Sequence, residues 1–414
     1  MPSDRTAGLV GDEQDSPYSW ARLSASLVLG TIGTVGMWSY VVTLPAVQAE
    51  FAIARADATL PYTFAMVGFA SGSILMGWLS DRFGVLAPVI GGAILLGIGY
   101  AVAGYANLWQ LSLAYGLIGL GSSAAFVPLM ADISQWFTRR RGVAVVIASC
   151  GNYLSGALWS PLIESSIAAN GWRATHTGMG LICLVTMLPL ALMALRRRAP
   201  MNPVGGTGTT PASAPGTLGL SPNGLTALLS LAAIGCCVAM ATPQVQIVAY
   251  CGDLGYGSAR GAQMLSAMLA FGVVSRVVSG WIADHIGGLK ALLLGSALQA
   301  VALLLFAAFD SLASLYLISS LFGLFQGGVV PMYAIIVREY FPAREAGLRA
   351  GIVIGISVVG MALGGWGSGV IYDLTGSYSA AFLHGFLWNM LNFAIVLWLL
   401  MRSGWRPARR LAPA

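Results

Sequence analysis

The sequence predicts an all-α membrane protein whose twelve transmembrane helices form two pseudo-symmetric six-helix bundles. Three observations carry this. The 414 residues are 57% hydrophobic and only 9% charged, with a mean hydropathy of +0.78, whereas a soluble globular protein carries about 25% charged residues. Apolar segments of about 20 residues, long enough to cross a ~30 Å hydrocarbon core, recur twelve times. And GWLSDRFG at 77–84 returns as GWIADHIG at 280–287, an offset of 203 residues, so the two halves share one plan.

Taken in order, residues 1–22 are polar, with Asp4, Asp12, Glu13 and Asp15 and no secretory signal, and read as a cytoplasmic tail. The first six segments fall near 23–46, 59–79, 88–106, 108–131, 143–165 and 176–195, giving a bundle over 23–198. Residues 199–222 are rich in Pro, Gly, Thr and Ser and read as a cytoplasmic linker. Six more segments, near 224–250, 260–282, 290–309, 312–336, 348–370 and 379–401, give a second bundle over 223–401, and 402–414 is a second cytoplasmic tail. The repeat extends past the first motif. Gly151 and Gly156 recur as Gly355 and Gly360, and Pro128 as Pro331.

Basic residues set the orientation. With both termini inside, the inner segments hold Arg82, Arg139–Arg141, Arg196–Arg198, Lys290, Arg338, Arg344, Arg349 and the tail arginines, while the outer loops hold Arg55, Arg173 and Arg260. This is the positive-inside bias. It accounts for the net charge of +6 without nucleic acid, and the expected setting is a multi-pass protein of the inner (cytoplasmic) membrane.

The five cysteines are odd in number, lack zinc-type spacing and suit packing. His176, His285 and His384 lie near segment ends, away from metal-ligand spacing. No phosphate loop, HExxH or G-x-S-x-G turn occurs. No cofactor, metal or enzymatic activity is expected, and uphill movement of a substrate would have to draw on an ion gradient or an exchange partner.

The residue that resists a packing explanation is Arg276, inside the eighth segment. It lies eight residues before Asp284, about 12 Å along a helix, near mid-depth. An arginine there costs about 2.5–3.5 kcal/mol on insertion scales and needs a partner, a cavity or a substrate. Every Asp and Glu falls at a segment edge, in a loop or in a tail. A guanidinium without a counter-charge suits a carboxylate, to which it can donate two parallel hydrogen bonds; a structural arginine held by polar groups is the alternative. Further candidates to line a central cavity are Asn152, Tyr153 and Trp159 on the fifth segment, Gln326 on the tenth, and Trp38 and Tyr40 on the first. Asn389 and Asn392 on the twelfth read as structural.

The pattern G-x-L-x-D-R-x-G, met by Gly77, Leu79, Asp81, Arg82 and Gly84 and in part by Gly280, Asp284 and Gly287, resembles the signature loop of the major facilitator superfamily. The resemblance covers nearly the whole chain. It implies transport by alternating access between parallel halves, with substrate near the midplane. It also implies gating roles for these loop residues, the aspartate meeting a helix N-terminus of the same side, where negative charge is favoured by about 0.3–1 kcal/mol. Leu44-Pro45, Glu50-Phe51, Arg55-Ala56 and Arg276 further resemble the oxalate/formate antiporter and monocarboxylate transporter branch. That branch often carries an acid one turn before the arginine, where this chain has Gly272, and no basic residue lies between Ala25 and Gln48. The expected function is secondary active transport of a small organic anion, a monocarboxylate, with protons or in exchange, by a protein that can work as a monomer in the lipid bilayer. The alternatives are export of a hydrophobic or amphipathic compound, or a non-transporting membrane sensor.

Overall fold

The computed structural model describes residues 14–197 and 218–404. Among them the structure is all-helical, as a chain with no water to satisfy its backbone requires. Eleven helices are long and apolar enough to span a membrane. The longest, Arg141–Ala194, has 54 residues, roughly 80 Å at 1.5 Å per residue, which is too long for one crossing. Gly171 breaks it with φ 79° and ψ 159°, a left-handed conformation that glycine tolerates. Twelve spans result. We number them α1 (Pro17–Phe51, with a 3₁₀ turn at Thr34–Met37), α2 (Leu60–Phe83), α3 (Leu86–Ala103), α4 (Leu108–Trp136), α5 (141–170), α6 (172–194), α7 (Pro222–Asp253), α8 (Ser258–Ile286), α9 (Gly288–Ala308), α10 (Leu312–Tyr340), α11 (Ala343–Thr375) and α12 (Tyr378–Arg402).

Local chemistry repeats between the halves. Ser16-Pro17 opens α1 and Ser221-Pro222 opens α7, each serine hydroxyl accepting from the backbone N–H three residues on, a cap worth about 1 kcal/mol. The spans α4 and α10 are both interrupted just before their repeated prolines, at Ala125–Phe126 and Gly327–Gly328. The halves meet along one seam, where α5 packs on α8, α2 on α11 and α1 on α7.

Two sequence expectations shift. The first helix begins at Pro17, inside the segment read as tail, and Arg22 is buried, not a charge that precedes the span. Its Nε and Nη2 donate to Asp132 at 2.7 and 2.9 Å, its Nη1 donates to the Ala194 carbonyl, and its guanidinium lies over Trp136. One arginine thus ties α1, α4 and α6 near the end of the molecule that carries both termini. Arg55, read as a loop cation, is also buried, at the opposite, far end. The linker read over 199–222 lies outside the described residues except for 218–222, of which Pro222 already starts α7, and 405–414 of the second tail also lies outside them.

Candidate functional site

Arg276 crosses the seam. Its Nη1 donates to the backbone carbonyl of Ser149 on α5 at 2.6 Å, and its guanidinium carbon stands 4.0 Å from the ring centroid of Tyr153. Its Nε is buried with no hydrogen-bond partner, and among the described residues it forms no ion pair. The side chain is 9% exposed. The charge is therefore met by a carbonyl dipole and a ring face, each worth a few kcal/mol at most, and by no carboxylate.

The neighbouring helices fix this arrangement. A Cβ at Gly272 would come within 2.6 Å of the Tyr153 ring atoms Cδ1 and Cε1, so only glycine lets Tyr153 of α5 lie against α8. An acid at this position would displace the ring that now faces Arg276. On the other side α10 interlocks with α8. A Cβ at Gly327 would meet the Gly272 carbonyl oxygen at 2.5 Å, and the Gly328 N–H donates to the Ser275 hydroxyl at 3.0 Å. These contacts bring Gln326 of α10 to the same Tyr153. Tyr153 donates its hydroxyl to Gln326 Oε1 at 3.4 Å, while Gln326 Nε2, fully buried, has no partner.

Of the other candidates, Trp38 and Asn152 belong to the same centre. The indole N–H of Trp38 donates to both the carbonyl oxygen and Oδ1 of Asn152, at 2.9 and 3.0 Å, and Trp38 lies 6.3 Å from Tyr153 between ring centroids. Trp159 is half-buried and spends its N–H on the Thr31 carbonyl, within its own half. Tyr40 is fully buried, donates to the Ala58 carbonyl and packs edge-on to Tyr115, also within its own half. A cavity of about 460 Å³ opens between α7 and α11 near the terminal end, lined by Asn223, Thr226, Ser230 and Arg349 among others. It shares no residue with the set around Arg276.

The signature glycines Gly84 and Gly287 each end a helix with positive φ, 84° and 87°, so the loop needs glycine at both. Asp81, Arg82 and Asp284 are exposed. Arg82 lies over its own neighbours Trp78 and Phe83, and neither aspartate has a hydrogen bond or ion pair among the described residues. The helix N-terminus at Gly288 is met instead by Glu339, whose Oε1 accepts from the Gly288 N–H at 2.9 Å. A Cβ at Gly77, Gly280, Gly351 or Gly355 would meet nothing within 4 Å.

The far end is shut. Arg55 donates from Nη2 to Asp253 and from Nη1 to Tyr378, each at 2.8 Å, and its guanidinium lies over Tyr372. Asp373 accepts from the backbone N–H of Arg55 and of Ala56 at 2.8 and 2.7 Å, and Ser258 donates to Glu164 at 2.8 Å. Sequence reasoning missed this clasp, because Arg55, Asp253 and Asp373 each sit beside turns where a solvated charge is the ordinary reading. Asn389 and Asn392 bond to Ser296 and Tyr333 inside the second half. His176 is buried against the Tyr115 hydroxyl and the Trp172 carbonyl, and the five cysteines are buried thiols.

Twelve spans in two repeated halves, tied together at one end by the Arg55 clasp, fit what the sequence comparison finds. The profile of the Major Facilitator Superfamily covers residues 27–312 and 264–412. The chain belongs to that superfamily. It is 28% identical over 384 residues to monocarboxylate transporter 13 of Rattus norvegicus, spanning 89% of this chain and 86% of that one. It is 25% identical over 387 residues to monocarboxylate transporter 11 of Mus musculus, spanning 89% and 84%. Its fold matches a crystal structure of a bacterial homologue of the human lysosomal transporter Spinster, in an inward-facing and occupied conformation, with TM-score 0.67 and 14% identity over 94% of this chain and 96% of that one.

Proposed function

We propose that this carrier moves a small organic anion, a monocarboxylate, across the inner (cytoplasmic) membrane by alternating access, with a proton or in exchange for another anion. The observation that carries the reading is Arg276, a seam-crossing cation at mid-depth with a free N–H and no ion pair. In a low-dielectric interior such a charge recruits an anion of complementary shape, and a carboxylate matches its fork. The relatives named as monocarboxylate transporters support the class. Of the candidates, Tyr153, Gln326, Trp38 and Asn152 complete the binding set. The basic residues at the terminal end put that end, and both termini, in the cytoplasm, so the end clasped by Arg55 is the outer one. On this reading Gly77, Asp81, Arg82 and Gly84, with Gly280, Asp284 and Gly287, form the inner gate.

The test is uptake of radiolabelled small carboxylates into proteoliposomes by wild type, Arg276→Lys and Arg276→Ala. Uptake by wild type, weakened by the point charge of lysine and lost with alanine, is the expected result. Equal uptake by all three would remove the assignment, and movement of amphipathic cations or neutral compounds alone would favour export of that class.

A further inference from the structure

We infer that the cleft between α7 and α11 is a phospholipid site on the side of the termini, taking a phosphodiester at Arg349 and an acyl chain along its isoleucines. The cleft has a volume of about 460 Å³, with Arg349, Asn223 and Thr226 at a polar mouth and Leu231, Ile234 and Ile352 on an apolar floor. From Asn223 to Ile234 it descends roughly 16 Å at 1.5 Å per residue, from the end that carries both termini toward mid-membrane. The repeated plan of the fold does not require it. In the first half a Cβ at Gly151 of α5 would fall 3.2 Å from the Gly30 backbone of α1, whereas one at the repeated Gly355 of α11 would meet nothing within 4 Å.

The floor of the cleft continues a surface that faces lipid, not the seam. Ile352, Val359, Leu363 and Trp366 form one exposed apolar stripe along α11, and Leu231 of α7 is exposed beside its lower end. The stripe stays open next to Gly365 and Gly369, where α11 is shut against Tyr62 and Ala56 of the other half, so what covers it is hydrocarbon. The mouth supplies the polar end. Arg349 Nη1 donates to the Pro222 carbonyl, Asn223 Oδ1 and Thr226 Oγ1 at 3.1, 3.2 and 2.7 Å. Its Nε and Nη2 donate to Glu345 at 3.1 and 3.0 Å, and that carboxylate is 35% exposed, so a phosphate can exchange for it on the guanidinium fork. One turn below Thr226, Ser230 lines the cleft at 6% exposure, and its hydroxyl has no hydrogen-bond partner. An ester oxygen just beneath a lipid phosphate would satisfy it. Basic pockets between spanning helices on the cytoplasmic side suit lipid headgroups. A soluble phosphate would use the mouth and leave the floor bare, whereas a lipid uses both.

The experiment gives the full chain, purified in detergent, three probes: dioleoyl phosphatidylglycerol, dioleoylglycerol, which lacks the phosphate, and glycerol phosphate, which lacks the chains. Binding is read by native mass spectrometry and by thermal stabilisation, in wild type, Arg349→Gln, Ser230→Ala and Ala227→Trp. Wild type is expected to retain and be stabilised by the phospholipid, and to respond far less to the other two probes. Arg349→Gln should weaken phospholipid binding about tenfold and Ser230→Ala about threefold. Ala227→Trp places an indole in the cleft while leaving every hydrogen bond of Arg349 in place, and should abolish binding, so it carries the test if Arg349→Gln fails to fold. Equal stabilisation by dioleoylglycerol would overturn recognition of the phosphate, and equal binding of glycerol phosphate would make the site one for a soluble anion. Phospholipid binding unchanged in Ala227→Trp would place the lipid elsewhere and overturn the inference.

Discussion

Arg55 and Arg276 both reach from one half of the carrier to the other, and both are nearly inaccessible, at 4% and 9% exposure. They differ in what receives their charge. Arg55 meets a carboxylate and a phenol through its side chain, while a second carboxylate caps the backbone around it. Arg276 meets a carbonyl and a ring face. A buried cation whose protein supplies the anion holds two parts together. One whose protein withholds it leaves the most favourable partner to come from solution.

The comparison can be broken in several places, and the largest effect is expected at Arg276. Arg276→Ala should lower apparent anion affinity by about 100-fold, the worth of two hydrogen bonds to a charged group, read as loss of ligand-induced thermal stabilisation. Arg55→Ala should leave anion affinity within a few-fold and act on the conformational equilibrium instead. Breaking a buried pair costs about 3–5 kcal/mol, but the Asp253 side chain is 40% exposed, so solvent reduces this to about 1–2 kcal/mol. Labelling of Ser368→Cys by an impermeant maleimide from the far side should then quicken about tenfold in Arg55→Ala. An unchanged labelling rate would mean that the clasp does not hold the far end shut.

Gly272→Ala sharpens the contrast from the packing side. Its methyl would intrude on the Tyr153 ring, and overpacking of this kind costs about 1–3 kcal/mol, measurable as a lower melting temperature together with weaker anion binding. Gly280→Ala, two turns along the same helix in open space, should change stability by less than about 0.5 kcal/mol. The smallest effect lies outside the membrane. Desolvation pushes the Asp15 carboxyl up, but hydrogen bonds from the Thr138 hydroxyl and from backbone N–H groups of 138–140 outweigh it, holding its pKa below the ordinary value. Its staple is therefore complete above the unfolded pKa of about 3.9 and fades as pH falls through the lower folded value. Amide exchange at residues 14–16 should quicken there, and Asp15→Asn should abolish that pH dependence.

How far the sequence reached follows the same division between Arg276 and Arg55. Arg276 was legible because a charge inside a long apolar run is anomalous wherever it points. The motif glycines were legible because Gly84 and Gly287 meet a local backbone demand, a positive φ. Arg55 was not, because nothing local separates a solvated loop charge from one folded under the opposite half. Tyr40 and Trp159 share the composition of Trp38 and Tyr153, and only rotation about the helix axis decides which rings face the seam.

By itself the sequence determined the number of spans and their repeat, and singled out Arg276 as a charge within an apolar run, since these rest on hydropathy and spacing, which act along the chain. The tertiary structure decided which charges are paired, that Tyr153 lies on Gly272 and under Arg276, that Gln326 joins them, and which end of the seam is shut. Those outcomes depend on contacts between residues as far apart as 55 and 373, and pairing across such distances is set by how the helices pack, not by what any one of them contains.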